Sequence, residues 1–301
     1  MNTRRSFLQS AVALPTAVAV GSVFSNSSAQ AIEPIKRNGT PKFKFSLAAY
    51  SYRSLLSGKK PVMSMFEFID DCARMGLEGT ELTSYYFKKP ITEQYVRKLK
   101  THAFRLGLDV SGTAVGNDFG KTGADLKAAI KHVKQWIDYA EILSAPVIRI
   151  FAGHHKKGVD KAKSHAQMVA AIEECCQYAG DHGVYLALEN HGGPTSTAKG
   201  LMGFVRDVKS PWFAVNLDTG NFHSDDVYGE LAAVAPYAMN VQVKVVVSGA
   251  DRKKRPSDFR RLAKILRDVR YRGYIVLEYE EQGDPRKECP RFVKELRDAF
   301  A

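Results

Sequence analysis

The sequence predicts a single α/β domain closed as a (β/α)8 TIM barrel. Three observations carry this. Short β-type runs alternate with longer helical patterns eight times across residues 43–300. Glycine, or Ala-Pro, stands just before several of the runs, at Gly76, Gly107, Ala145-Pro146, Gly183 and Gly273, where a residue that tolerates the left-handed backbone ends a helix at little steric cost. No glycine-rich dinucleotide fingerprint follows the first run, which counts against the nearest alternative, a doubly wound open sheet.

In order, the predicted strands are residues 43–50, 77–83, 108–115, 146–152, 184–190, 212–218, 240–247 and 274–280. The helices that follow them are residues 62–75, 91–106, 124–143, 159–182, 198–208, 227–237, 257–269 and 286–300. No linker interrupts residues 43–301, so they form one domain. A Pro/Gly/Lys-rich leader, residues 32–42, precedes it.

Residues 1–31 are predicted to be an export signal. Arg4-Arg5 precede Ser6-Phe7-Leu8, a weakly hydrophobic stretch follows over residues 11–23, and Ala29-Gln30-Ala31 ends the segment. The paired arginines resemble the twin-arginine signal, which is an address and not an anchor. The expected location is therefore the periplasm. The export of already folded protein by this route hints at a cofactor loaded in the cytoplasm. No other stretch approaches the roughly 20 apolar residues of a membrane span.

Composition is that of an ordinary globular protein, with 45% hydrophobic and 25% charged residues. Lys+Arg 44 against Asp+Glu 32 gives a net charge of +12. No Lys/Arg block accompanies it, so the excess is expected as solvated lysines, with no nucleic-acid partner. Four cysteines are too few for a disulfide-built scaffold. Cys175 and Cys176 are expected as packed thiols. Cys72 and Cys289 become neighbours if the barrel closes, which leaves a disulfide between them open.

Strand parity locates the chemistry. In the seventh strand Val241, Val243, Val245 and Val247 share the face that packs under helices, so Asn240, Gln242 and Lys244 point into the barrel. The same parity turns Glu278 and Glu280 inward in the eighth strand. Glu189, Asp218, Glu81 and Arg149 lie on the inner faces of the fifth, sixth, second and fourth. Most come late in their strands, at the carboxyl end where barrel active sites form. Glu189, Asp218 and Glu278 meeting at one mouth would repel each other unless a cation holds them, and hard divalent ions suit such oxygen sites. The alternative is that each acid pairs with a nearby base such as Arg149 or Lys244.

Leu186-Ala-Leu-Glu-Asn-His-Gly-Gly193 and Val215-Asn-Leu-Asp-Thr-Gly-Asn221 resemble the xylose isomerase-like barrel superfamily, the sugar phosphate isomerase/epimerase group. Ile275-Val-Leu-Glu278, Gly79-Thr-Glu-Leu82 and Ile148-Arg-Ile-Phe-Ala-Gly153 are similar to its eighth, second and fourth strands. The resemblance implies one divalent ion, with manganese or magnesium favoured and cobalt or zinc as alternatives. Its implied ligands are Glu189, Asp218 and Glu278, with Gln242 at the position of the family's strand-seven histidine. Where the ketose epimerases of the group place a substrate-binding histidine and a second glutamate, this chain has Asn221 and Thr195. His191 and His223 flank the expected site.

The implied reaction is isomerisation or epimerisation of a small carbohydrate through an enediolate, the metal polarising the carbonyl. Glu189 and Glu278 act as acid and base, with Lys244 on the enediolate oxygen. Glu81, Arg149, His191, Asn221 and His223 are the expected substrate contacts. Loss of a leaving group from the same intermediate would make a dehydratase or lyase on keto-sugars or keto-glycosides. A Schiff-base aldolase on Lys244 and a barrel that only binds carbohydrate are the rivals. An abasic-site endonuclease shares this barrel but needs a histidine-rich multi-metal site that these strand ends lack. Oligomeric state stays open.

Overall fold

Alternation within each short run decides the layers. Residues such as Leu82, Ile148, Leu186, Leu188, Val241 and Ile275 are almost wholly shielded from solvent and belong to the hydrophobic core. Their neighbours in sequence carry hydroxyls, amides and charges and turn inward. The computed structural model describes residues 32–301; the expected export signal, residues 1–31, lies outside the described residues.

The strands are β1 (Lys42–Ala48), β2 (Gly79–Thr83), β3 (Asp109–Ala114), β4 (Val147–Ile150), β5 (Tyr185–Glu189), β6 (Phe213–Asp218), β7 (Ala238–Val243), β8 (Val246–Ser248), β9 (Lys254–Pro256) and β10 (Arg272–Leu277). All but β8 and β9 close a barrel in the order β1-β10-β7-β6-β5-β4-β3-β2, every neighbouring pair parallel. This is the predicted single (β/α)8 barrel. The helices are α1 (Arg53–Leu56), α2 (Met65–Arg74), α3 (Glu93–Arg105), α4 (Gly123–Leu143), α5 (Lys161–Asp181), α6 (Ala198–Asp207), α7 (Val227–Val234), α8 (Phe259–Asp268) and α9 (Pro285–Phe300). Among the described residues no helix is long and apolar enough to cross a membrane.

Polar residues start most helices and so fix where each loop at the carboxyl end stops. Ser64 and Glu67 form a reciprocal capping box at α2. The side chains of Thr92, Asp160, Thr197, Asp226, Asp258 and Asp284 each accept a backbone N–H of the first turn that follows. At the other end Gly76, Gly107 and Gly183 take positive φ, as the sequence predicted. Gly273 does not; there Arg270 adopts the left-handed turn, and a Cβ at Gly273 would meet the Tyr271 hydroxyl at 2.6 Å and its ring at 2.8 Å.

One strand differs from expectation. The valine-rich run predicted as one seventh strand over residues 240–247 ends in the barrel at Val243, and Val246–Ser248 pairs antiparallel with Lys254–Pro256. Lys244 sits at this departure point. All four described cysteines are free and buried, Cys72 and Cys289 included. Burial pushes the Cys72 thiol up to about 12, out of the reactive range.

The loops after β3 and β4 are clasped together. Asp118 Oδ1 accepts the backbone N–H groups of Gly120, at 2.9 Å, and His154, at 3.1 Å. Gly153 passes beneath at φ +96°, where a Cβ would meet Asp118 Oδ1 at 1.9 Å and Gly120 N at 2.7 Å. Gly153→Ala is expected to lower unfolding free energy by about 1–3 kcal/mol, through backbone strain and loss of the clasp; urea denaturation measures it.

Candidate active site

A polar layer inside the barrel forms the floor of the site. Gln242 Nε2 donates to Glu81 Oε1 at 2.6 Å, and Asn240 Nδ2 to Glu81 Oε2 at 2.9 Å. Asn240 Nδ2 also donates to Asn216 Oδ1, and Asn216 Nδ2 donates to Gln242 Oε1 at 2.7 Å. The parity predicted for the sixth and seventh strands is thus observed. Glu81 is fully shielded and both its oxygens are engaged. It holds the floor together and is not placed to touch substrate, contrary to expectation.

Above the floor the expected acids converge with two bases. Arg149 Nε lies 2.9 Å from Glu189 Oε2, and Asn221 Nδ2 donates to Glu189 Oε1 at 2.9 Å. Arg149 also donates to Val115 O at 3.0 Å, and its guanidinium lies over the Phe151 ring at 4.0 Å. The His191 ring packs on the other part of Phe151, with centroids 4.4 Å apart. Asn221 therefore orients Glu189, and Thr195 is used inside its own loop, accepting from His191 N at 3.0 Å.

The second group centres on Lys244. Its ammonium donates to Glu278 and lies 2.8 Å from Glu280 Oε1 and 3.3 Å from Asp218 Oδ2. Asp218 Oδ1 accepts from Gly220 N at 2.8 Å, whereas Oδ2 has no hydrogen-bond partner and only this ion-pair contact. Lys244, Glu278, Glu280, Asn221 and His223 line one cavity of about 270 Å³. His223 is held by its loop, Nδ1 standing 3.2 Å from Ser248 O.

Several contributors were not expected. Glu280 was expected to point inward but not to be part of the site. Ser51 Oγ accepts from Tyr279 N at 2.9 Å and donates to Leu277 O, clamping both neighbours of Glu278. Arg53 donates to Tyr279 O and Glu280 O on the same segment. Tyr85 hydrogen-bonds Arg149. Ser51, Arg53 and Tyr85 come from the segments after the first two strands, where side chains carry no periodic signal to identify them.

Burial and charge together shape the ionisation of the buried groups. Burial, then crowding by Glu278, raises Glu81 to about 7. Burial raises Asp218 to about 7 as well, against the pull of Lys244. Glu189 is raised well above the usual carboxylate value by burial and by Asp218 and Glu278, with Arg149 opposing. Glu278 moves the other way: burial is outweighed by the Lys244 charge and hydrogen bond, so it stays ionised. Lys244 is held firmly protonated, burial being overcome by Asp218, Glu278, Glu280 and Glu189. Burial and the charges of Arg149 and Lys244 keep His191 below the usual imidazole value.

A divalent ion held by Glu189, Asp218, Gln242 and Glu278 does not fit this arrangement. The Gln242 carbonyl, the one atom of that side chain able to bind a metal, already accepts from Asn216 within the floor. The Lys244 ammonium stands between two of the three acids. The third is paired with Arg149. Among the described residues no three Asp, Glu, His or Cys side chains gather as ligands of one ion. Two side-chain cations, Arg149 and Lys244, face these acids.

The raised acids make stability pH-dependent. Between the ordinary carboxylate value and about 7 the folded chain keeps protons on Glu81 and Asp218 that the unfolded chain has released. Stability is therefore expected to fall as pH rises through that window and to level off above it. Glu81→Gln should flatten the profile, with urea midpoints at pH 5 and pH 8 as the measure.

The fold recurs in enzymes of known structure. D-psicose 3-epimerase from Clostridium cellulolyticum H10 is 17% identical, with a TM-score of 0.69 over 85% of this chain and 99% of that one. A 3-keto-D-glucoside 4-epimerase from E. coli is 16% identical, with a TM-score of 0.68 over 86% and 99%. A probable 3-DHS dehydratase from Bacillus anthracis is 18% identical, with a TM-score of 0.65 over 84% and 98%. At these identities the likeness is one of fold. A comparison with curated proteins gave no sequence match. The family model of the xylose isomerase-like TIM barrel matches residues 69–296, three quarters of the chain and every strand from β2 to β10. With the closed barrel and the acids at its carboxyl end, this places the chain in the xylose isomerase-like TIM barrel family.

Proposed function

We propose that the chain is a sugar isomerase or epimerase that moves a proton at a carbon next to a carbonyl. The observation that carries this reading is the opposed pair Glu189 and Glu278. Both are buried in one mouth, one driven toward its protonated form and the other held ionised. Carboxyl groups with environments that differ in this way supply an acid and a base at the same pH.

Glu278 removes the proton from the carbon. The C–H electron pair moves onto the carbonyl oxygen, and the Lys244 ammonium stabilises the negative charge that develops there. Glu189 returns a proton, to the opposite face of the same carbon for an epimer, or to the neighbouring carbon for an isomer, where the hydroxyl on the first carbon becomes the new carbonyl and its proton passes to the former carbonyl oxygen. Arg149 and Asn221 hold Glu189 in place, and Asp218 keeps Lys244 over the mouth. His223 lines the cavity a sugar would fill, and His191 packs on Phe151 beside Arg149. The cavity of about 270 Å³ suits a small carbohydrate. Structural neighbours that are epimerases support the reading, and the dehydratase neighbour supports its variant, in which the enediolate expels a β-hydroxyl.

A Schiff-base aldolase is disfavoured by the acids around Lys244, which keep the amine protonated and non-nucleophilic. The export signal proposed for residues 1–31 points to free sugars or glycoside fragments in the periplasm rather than phosphorylated metabolites.

Incubating the enzyme with a panel of keto-sugars and keto-glycosides in D2O tests the proposal. Deuterium is expected at the carbon next to the carbonyl, read by NMR, together with an epimer, isomer or dehydrated product. Glu189→Gln and Glu278→Gln should each slow exchange by about 10²–10⁴-fold. Carbohydrate binding without exchange anywhere in the panel would leave only a binding barrel. Borohydride is expected to trap no covalent adduct on Lys244.

A further inference from the structure

We propose that Lys244 is a built-in cation: its ammonium occupies the focus of the mouth in place of a divalent ion, and the site works without a metal. Three carboxylates from two strand ends reach the one nitrogen: Asp218 at the end of β6, and Glu278 and Glu280 beyond β10. An ammonium has three donors and no acceptor, which matches three carboxylates and offers an ion nothing. A second cation between the same acids would face its charge directly.

The surroundings hold the lysine in that position. Gly220 lies against its stem; a Cβ there would meet Lys244 Cγ at 2.6 Å and Cβ at 2.8 Å. Lys244 N donates to Thr219 Oγ1 at 2.9 Å, and Ser257 Oγ donates to Lys244 O at 2.7 Å. The backbone is pinned on both sides just where the chain leaves β7 for the β8–β9 hairpin. Gln242, one inward position below, is committed to Glu81 and Asn216. Glu189, Asp218, Gln242, Glu278 and Glu280 thus each have at least one oxygen already facing a donor or cation of the protein.

Metal analysis of the purified full chain, followed by Mn2+ titration in a calorimeter, tests the inference. Far less than one ion per chain is expected, with no Mn2+ binding into the millimolar range and a Tm unchanged by EDTA. Lys244→Met vacates the focus and is expected to gain Mn2+ affinity by about 100-fold or more, since carboxylate count sets affinity at such sites. Its Tm should rise on adding Mn2+. Lys244→Arg keeps the charge and should stay metal-free. A stoichiometric ion in the unaltered chain whose removal by EDTA lowers Tm would overturn the inference. So would a folded Lys244→Met protein that takes up no Mn2+. If Lys244→Met does not fold, the metal content and titration of the unaltered chain decide. None of these readouts uses turnover, so a failed sugar assay and a failed metal assay are separate results.

Discussion

Buried negative charge is the constraint on which this site depends. Glu81, Glu189, Asp218 and Glu278 are all nearly or wholly removed from water, and Glu280 stands beside them. An isolated ionised carboxylate is costly to bury, so such a group must find a cation or keep its proton. Both solutions are present. Arg149 and Lys244 supply two positive charges, and the acids they do not fully offset are raised toward neutrality. The distribution of protons among the acids follows from where the two bases stand.

The barrel makes that placement rigid. Side chains at the ends of β5 and β6 and just beyond β10 share one rim, because parallel strands in register end at similar heights. The segment bearing Glu278 is fixed from the first strand's loop by Ser51 and Arg53, and Glu278 N donates to Val243 O. Lys244 is fixed by Gly220, Thr219 and Ser257. Glu189 and Glu278, the proposed acid and base, therefore hold their spacing through contacts outside the proposed proton transfer, a form of preorganisation that suits the proposed reaction.

Much of this was legible in the sequence, for a physical reason. A period of two separates inward from outward residues, so the valines of β7 and the amides and lysine between them declare their faces. The eight strand–helix pairs, the single domain and the inward set Glu81, Arg149, Glu189, Asp218, Gln242, Lys244 and Glu278 all follow from that rule. It does not say which oxygen meets which nitrogen. The β6–β7 register shifts between Val215 and Asn216, and that shift brings Asp218 opposite Gln242 and Asn216 opposite Asn240. Whether Gln242 faces an ion or an amide turns on a slip of one residue that no single strand encodes. The hairpin was hidden for a related reason: four valines in alternation look like one long strand, and only the tertiary path shows that the chain turns away after Val243.

The two bases are not interchangeable, and the difference sets where a substrate can act. Arg149 is stacked on Phe151, bonded to Val115 O and Tyr85, and paired with Glu189. Its planar guanidinium is held from several sides and fixes one acid. Lys244 presents a compact ammonium on a flexible stem to the cavity. Of its three acid partners, Asp218 and Glu278 are buried, whereas the Glu280 side chain is 40% exposed. Solvent screening makes the Glu280 pair the weakest of the three. A carbonyl oxygen entering from the cavity can take that place while Asp218 and Glu278 remain bound. In the proposed reaction the lysine then carries charge to the reacting oxygen with Glu278, the proposed base, still attached.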